Sequence, residues 1–567
     1  MNTSDCIKCD VLVCGGGVGG LAAAISIKEL APETDVLVVE KNFSGWSGKA
    51  NRGGGVLQYF DYDKIKPEEF AAFHAHEIGA YLGDQELMTT YVAMNHQMMD
   101  KLSSWGVNMP RNDDGTYRVM PTGPFTCIIC VDLDITLNMR RHAKKLGVRF
   151  MDKTVMAELF RDEHGITGAG VYSVLDGTYA TVSAKRVVLA TGSQDYRVGP
   201  MWSCGRGDGI LAAWKAGAEM RNPEFGNFAQ LVLVRSHDEI VFGENYMYNA
   251  KGEFLTPHFF DHRETDISSK AIREWLIQME AGDGPVHLDF GGKSRDEMSL
   301  ERQWYRPYGQ RFRELINENA ARVDTDLEVA PMFIGEQSCI KVDHDMQTTV
   351  PGLFAIGDCS YCGSNLAGAV PAPPGRNRGS GILNAVFAGI MCSRAASQDA
   401  AAQTARPISD ADVAACQSRL VAPLHRADGA TATEVIDLVQ HAMAPVELSV
   451  VMQADRMDRA MALVDQAAEL LPSLIARDWH ELMNCHEAEA MVLSAKLHYT
   501  ASKMRKESRG WFLREDYPKM DNENWLKWIV AKDDDGRIAL STEDVPVEKW
   551  PVDPRKAQRQ PKETSYE

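Results

Sequence analysis

Residues 10–40, DVLVCGGGVGGLAAAISIKELAPETDVLVVE, constrain this chain more than any other stretch. Valine and leucine dominate residues 10–14 and glycine ends the run abruptly, which predicts a short buried strand. GGGVGG follows, with Gly15, Gly17 and Gly20 in G-x-G-x-x-G spacing. Without Cβ atoms these residues let the backbone turn sharply, let a pyrophosphate approach the main chain, and let the next helix pack close to the strand. Ala22, Ala23 and Ala24 keep that helix slim. Its free N–H groups and dipole favour a phosphate at the same place. A second strand over 35–39 ends in Glu40, where an acidic side chain accepts hydrogen bonds from a ribose hydroxyl and rejects a 2′-phosphate. The unit predicts a dinucleotide site that takes FAD or NAD rather than NADP.

At 567 residues the chain is too long for one core, so roughly three or four folding units are expected. Its 44% hydrophobic and 25% charged residues are ordinary for a globular protein. No apolar run reaches the ~18 residues that span a bilayer. The opening MNTSDCIKCD has neither the basic nor the apolar region of a signal peptide, so a cytoplasmic protein with no direct membrane span is expected. A formal charge of -19 opposes nucleic acid and anionic membranes as partners. The twelve cysteines are expected to be reduced. Three CxxC pairs occur, Cys6/Cys9, Cys127/Cys130 and Cys359/Cys362, but no C-x2-C-x2-C run. They are read as buried or incidental thiols, with no metal site.

The loop KNFSGWSGKANRGGGVLQ follows Glu40 directly, and that position favours a loop that wraps the cofactor with backbone donors. Leu87, Tyr91, Met94, Met98 and Leu102 recur at helical intervals and predict a helix over 84–105 with its methionines in the core. Asp113-Asp114-Gly115 marks a turn. A helix is predicted over 130–146, ended by Gly147, and then VRFMDKTVMAELFRD and ITGAGVYSVL as strands of a hairpin-like layer. KRVVLATGSQD predicts a buried strand running into Ala190-Thr191-Gly192, and Asp208 opens a further helix, as an acceptor or a simple cap. From 236 to 330 the pattern turns irregular, aromatic and charged, as expected of an inserted domain. VPGLFAIGDCS then gives a strand over 353–356 ending at Gly357-Asp358.

After it, AVPAPPGRNRGSGILNAVFAG passes from a proline-rich turn into an apolar helix beginning near Gly381. A helix N-terminus aimed at a flavin ring favours negative charge on N1/O2. Arg376 and Arg378 stand just before it, where forked hydrogen bonds could hold a carboxylate, sulfate or phosphate; a cofactor contact or a structural ion pair is the alternative. From about 407 the chain reads as a supporting helical bundle, with segments at 434–443, 448–471 and 477–506. DPRKAQRQPKETSYE is a polar tail, disordered or an arm lying on a partner.

Taken together, GGGVGG with Glu40, SGKANRGGG, SSWGVNMPRNDDGTY, ATGS, GDGILAAWKAGAEMRNPEF, VPGLFAIGD and RKESRGWFLREDYPKMDNENWLK resemble, nearly end to end, the flavoprotein subunits of the succinate dehydrogenase and fumarate reductase family. That family includes aspartate oxidase and the adenylylsulfate reductase alpha subunit. The resemblance implies an α/β fold: a Rossmann-like FAD-binding domain in two parts (1–235 and 331–400), an inserted α+β capping domain (236–330), a C-terminal helical domain (407–515) and a C-terminal extension (516–567). It implies FAD contacts at Gly15, Gly17, Val18, Gly19, Gly20, Glu40, Lys41, Ser47, Gly48, Asn51, Arg52, Gly53, Val155, Ala190, Thr191, Gly192, Asp208, Gly357, Asp358, Ile382 and Leu383. Arg376 and Arg378 become the candidate catalytic residues.

The chain departs from the dicarboxylate enzymes at several positions. The histidine that holds flavin covalently falls near Ser47, so noncovalent FAD is expected. Ala229 stands where a substrate histidine follows the EF string, the cap's proton-donating arginine falls near Ser269 or Lys270, and PMFIGEQSCIKVD lacks the second histidine. REWLIQMEAGDGPVHLDF and MRKESRGWF look closer to the adenylylsulfate reductase branch. The resulting expectation is an FAD-dependent oxidoreductase subunit moving two electrons between flavin N5 and a small anionic substrate, in a hetero-oligomer with a ferredoxin-like iron–sulfur partner. An adenylylsulfate reductase-like subunit, or a non-catalytic FAD-binding relay subunit, is the alternative.

Overall fold

Strand β1 (Ile7–Cys14), helix α1 (Val18–Leu30) and strand β2 (Val36–Glu40) form the expected β–α–β unit. The structure, a computed structural model, describes residues 6–51, 55–121, 127–199, 204–234, 247–258, 268–289, 328–361, 380–510 and 512–556. β1 starts earlier than residue 10 because its first residues also find a ladder partner, Ile7 lying opposite Val182. Every residue of β2 is buried, as expected of a parallel strand covered on both faces.

Strands β3 (Arg149–Asp152), β4 (Thr154–Asp162), β5 (Gly165–Ser173) and β6 (Tyr179–Leu189) extend this into a sheet ordered β3-β2-β1-β6-β5-β4. VRFMDKTVMAELFRD, expected as one strand, is two. Lys153 takes φ 56°, so β3 stays parallel to β2 while β4 turns off into an antiparallel hairpin with β5. The 84–105 segment is likewise two helices, Gln85–Ala93 and Asn95–Ser104, separated at Met94, with Met98 and Met99 in the core. The helix expected from residue 130 begins at Ile135, because Cys130 ends a strand, Cys127–Cys130, paired with Val56–Tyr59.

Helix α2 (Asp208–Lys215) is followed by β7 (Phe228–Leu233) and β8 (Val329–Gly335), which pair antiparallel, so the chain between them leaves and returns through one ladder. β9 (Leu353–Ala355) then joins the main sheet. One edge of β6 serves two partners: Tyr179 faces Tyr172 of β5, whereas Val187 faces Leu353 of β9. The carboxyl ends of β1, β6 and β9 therefore converge, the position where open α/β sheets bind ligands. α3 (Ser380–Ala402) crosses α1 so closely that a Cβ on Gly389 would lie 2.9 Å from the Gly19 carbonyl oxygen. Covered by the sheet and by α3, α1 is buried from Val18 to Ile27.

The last third contains α4 (Ala432–Met443), α5 (Ala454–Leu470) and α6 (Trp479–Met504). Thr431 and Glu434 form a capping box at the start of α4. The stretch expected as helix from 448 is interrupted by a strand, Val451–Met452, paired with Leu513–Arg514, so α5 starts later. Beyond the bundle, β10 (Lys527–Asp534) and β11 (Arg537–Asp544) form a hairpin that adds to Met220–Arg221 near the end of α2. Among the described residues no helix is long and apolar enough to cross a membrane. Their cysteines are all free thiols; burial raises Cys130 to about 12 and Cys359 to about 11, while Cys362 lies outside the described residues.

Candidate functional site

The glycines of GGGVGG divide into two kinds. Gly15 has φ 113°, and a Cβ there would lie 2.3 Å from the Ala190 carbonyl oxygen. A Cβ on Gly20 would lie 2.0 Å from the carbonyl oxygen of Gly15. Both are therefore required for packing, at the β1–β6 contact and at the strand–helix contact. Gly17 differs: it caps α1 with φ -78°, and a Cβ there meets nothing within 4 Å. The space above the N-terminus of α1 is open. Gly192 (φ 79°), at the end of Ala190-Thr191-Gly192, also faces open space, and a Cβ on Gly48 (φ 88°) would come within 3.7 Å of the Gly17 Cα. Val18, Gly19 and Gly20 form the buried first turn beneath this opening.

Glu40, at the end of β2, is buried against the glycine turn. Its Oε2 accepts from the Gly16 amide at 2.7 Å and its Oε1 from the Asn42 amide at 2.8 Å. A carboxylate has about four acceptor sites, so capacity for a ribose hydroxyl remains. In the following loop, Ser47 and Asn51 hold the chain's shape. Ser47 Oγ donates to the Phe43 carbonyl at 2.7 Å, and Asn51 accepts from Thr136 Oγ1 at 2.6 Å. Thr191 meets the start of α2 so tightly that a Cβ on Gly209 would lie 2.1 Å from its Oγ1. Gly357 (φ 63°) and Asp358 follow β9, Val155 is buried in β4, and Ile382 and Leu383 lie on the first turn of α3. Arg52, Gly53, Arg376 and Arg378 lie outside the described residues.

Asp208 is not a helix cap. Gly207 occupies that position with φ 72° and no side-chain capping bond, and Asp208 pairs instead with Lys41 at 2.5 Å. Lys41 also reaches Glu487 of α6 at 2.7 Å, and Glu487 in turn receives Arg197 and Arg206. Lys41 and Asp208 are thus brought together, but each is engaged by the other.

A second cluster escaped the sequence reading. Lys49 Nζ lies 2.9 Å from Ser193 Oγ, 3.0 Å from Asp195 Oδ1 and 2.5 Å from Glu336 Oε1. Backbone bonds between Gln194 and the Glu336-Gln337 segment hold the end of β8 against the turn after Gly192. Burial raises the Glu336 carboxyl to about 7, against the opposing pull of Lys49. Burial alone would lower the Lys49 ammonium, but Asp195 and Glu336 outweigh it and hold it above its ordinary value. Lys49 and Glu336 stand 287 positions apart, so no local spacing could signal the pair.

The FAD binding domain family matches residues 10–372, and the fumarate reductase flavoprotein C-terminal family matches residues 440–566. The 8-methylmenaquinol:fumarate reductase flavoprotein subunit of Wolinella succinogenes is 26% identical over 598 residues, spanning 98% of this chain and 94% of that protein. L-aspartate oxidase of Streptomyces coelicolor is 25% identical over 588 residues, spanning 95% and 94%. Among solved structures, E. coli quinol fumarate reductase superposes with a TM-score of 0.81 at 20% identity, over 98% of this chain and 99% of that one. Adenylylsulfate reductase of Archaeoglobus fulgidus gives 0.76 at 20% identity, over 96% of each. At such identities the two structures bear on the fold alone. The opening above Gly17 suits the diphosphate of FAD, because a helix N-terminus there offers main-chain donors with no side chain in the way. The chain belongs to the succinate dehydrogenase and fumarate reductase flavoprotein family and is an FAD-dependent oxidoreductase.

Proposed function

We propose that this chain holds FAD noncovalently and transfers two electrons between the flavin and a small anionic substrate. The observation that carries the reading is the open N-terminus of α1 at Gly17, flanked by Gly48 and Gly192, with the Glu40 carboxylate beside it. In this reading the main chain at Gly17–Gly20 and Gly192 takes the diphosphate, and Glu40 takes a ribose hydroxyl. Gly357, Asp358, Ile382 and Leu383 line the side of the crevice at β9 and α3. Ser47 supplies no imidazole for a covalent flavin link; its hydroxyl is engaged within its own loop. FAD, when bound, supplies the redox chemistry. The chain's residues bind and orient, and the insertion between β7 and β8 excludes water. Arg376 and Arg378 fix the anionic group of the substrate through forked hydrogen bonds.

The names of the relatives, flavoprotein subunits of fumarate reductases, support a subunit of a hetero-oligomer and make fumarate the first acceptor to test. The expected partner is a ferredoxin-like iron–sulfur subunit. Ala229 of β7, wholly buried opposite Phe333, carries no ionisable group, so proton transfer to a dicarboxylate would need another donor. That favours keeping the adenylylsulfate reductase-like reading beside the first. The experiment is a screen of acceptors against photoreduced protein, with fumarate and adenylylsulfate included. Reoxidation by one of them, lost in Arg376→Ala, supports the proposal and names the substrate. Bound FAD that no anion reoxidises leaves the relay role, and protein with no affinity for FAD overturns both.

A further inference from the structure

Among the described residues, Lys49 meets the carboxylates of Asp195 and Glu336 beside the crevice, within the field of Asp358. Lys49 follows Gly48 on the loop after β2, Asp195 follows Gly192 after β6, Glu336 ends β8, and Asp358 follows β9 and acts on both Lys49 and Glu336 through its charge. The Cys204 thiol is a weaker neighbour of Lys49. The side chains of Asp195 and Glu336 are almost wholly buried, and the single ammonium of Lys49 bridges both. Glu336 is also held in an unusual way. Its backbone adopts φ 83°, rare for a residue with a side chain, and its Oε2 is buried with no hydrogen-bond partner among the described residues. The Asp195 Oδ1 is satisfied by Lys49 and by the Ser193 hydroxyl at 2.7 Å. Of the two carboxyls bridged by Lys49, Glu336 is therefore the one with an oxygen free to carry a proton.

We propose that Glu336, bridged through Lys49 to Asp195, is a proton-exchange site at the edge of the cofactor crevice, which gains a proton when negative charge enters the crevice. The protonated carboxyl offers an O–H donor at Oε2 and leaves Lys49 facing one fewer anion. Burial raises Glu336 into the neutral range, so a modest added field is enough to move its proton. The bond made is O–H on Glu336, and the proton comes from solvent. No electron moves in this step.

The inference rests on the reading that the crevice takes FAD, and the experiment separates the two. First, infrared difference spectra of the FAD-free protein across pH 5–9 should show a protonated-carboxyl band that titrates near neutral pH. The band should be absent in Glu336→Gln and should move to higher pH in Lys49→Met, where the ammonium that favours ionisation is gone. Second, calorimetric titration with FAD in buffers of different ionisation heat should show a fraction of a proton taken up per FAD bound near pH 7.5, lost in Glu336→Gln. A band that is the same in Glu336→Gln, or proton uptake that survives the substitution, overturns the proposal. Should Glu336→Gln not fold, Glu336→Asp serves, with the expected outcome a displaced midpoint and an unchanged midpoint counting against. Failure of FAD to bind at all sinks the cofactor reading, while the first measurement still decides whether Glu336 holds the proton.

Discussion

Two glycines three positions apart should respond to the same substitution in opposite ways. At Gly17 the backbone has φ -78°, which any L-residue adopts, and a Cβ meets nothing within 4 Å. The cost of Gly17→Ala to the fold is the poorer helix cap, about 0.5–1 kcal/mol. The methyl group would instead occupy the space assigned to the diphosphate. Overpacking of that kind costs about 1–3 kcal/mol, which is roughly a 5- to 150-fold rise in Kd for FAD. At Gly20 the methyl would sit 2.0 Å from the Gly15 carbonyl oxygen and 3.2 Å from the Ala190 side chain. Neither the strand end nor the helix can yield without moving the other, so a loss of about 3 kcal/mol or more is expected before any ligand is added. Thermal denaturation of the FAD-free variants and quenching of FAD fluorescence on binding measure the two effects separately. Gly17→Ala should melt close to the wild type and bind FAD weakly, and Gly20→Ala should melt several degrees lower. Wild-type affinity in Gly17→Ala would refute the placement of the phosphates at this helix end.

Glu507 accepts from both Arg505 and Arg509, all three wholly buried, so Glu507→Ala strips Arg509 of its carboxylate partner and leaves Arg505 with Glu224 alone, and should cost about 3–5 kcal/mol in urea denaturation; a loss under about 1 kcal/mol would show the ladder to be dispensable. Burial lowers His74 to about 3 and His498 to about 4, below the ordinary 6.5. Each therefore contributes stability that is present above pH 6.5 and lost as pH falls, about 2 kcal/mol each by pH 5. His498→Leu should flatten the acid limb of the urea midpoint plotted against pH, and an unaltered slope would contradict this. Glu40→Ala strands the Gly16 and Asn42 amides, each about 1–3 kcal/mol if left without a partner, so FAD affinity and melting temperature should fall together. A fall in affinity alone would show that the turn holds its shape without the carboxylate.

The parts of the fold that were legible in the sequence are those set by local chemistry. Glycine spacing, the apolar run before it and the acid after the second strand fix β1, α1 and β2, since each signal lies within a few residues of what it controls. The errors fall where a distant partner decides. Lys153 breaks a stretch that reads as one strand because β2 and β5 claim its two sides, and Cys130 is drawn from a helix into a strand by Val56. The string RKESRGWFLRED was recognisable only by resemblance, and the structure supplies its physical reason. Arg505 donates to Glu224, Glu507 and the carbonyls of Trp525 and Lys527, Arg509 reaches the Ala80 carbonyl, and Arg514 ties Asp516 to the end of α6. Such an arrangement joins four separated segments, and no periodicity within the string encodes it.

The charges around the crevice show why the site was only half readable. A lysine beside a dinucleotide fingerprint suggests a phosphate contact, and both Lys41 and Lys49 invite that inference. Yet Lys41 is held by Asp208 and Glu487, and Lys49 by Asp195 and Glu336. Neither is a free cation: Lys49 bridges two buried carboxylates, and Lys41 shares Glu487 with Arg197 and Arg206. In the proposed reading, the attraction for a diphosphate at Gly17 comes from main-chain N–H groups and the dipole of α1. That is the part of the site glycine spacing can announce, because it is made by the backbone of one short segment. The lysines are engaged otherwise: Lys49 lets the carboxylates of Asp195 and Glu336 approach each other, and Lys41 those of Asp208 and Glu487, without prohibitive repulsion. Their partners lie 144 to 446 positions away, so only the folded chain reveals which side chains hold the two lysines.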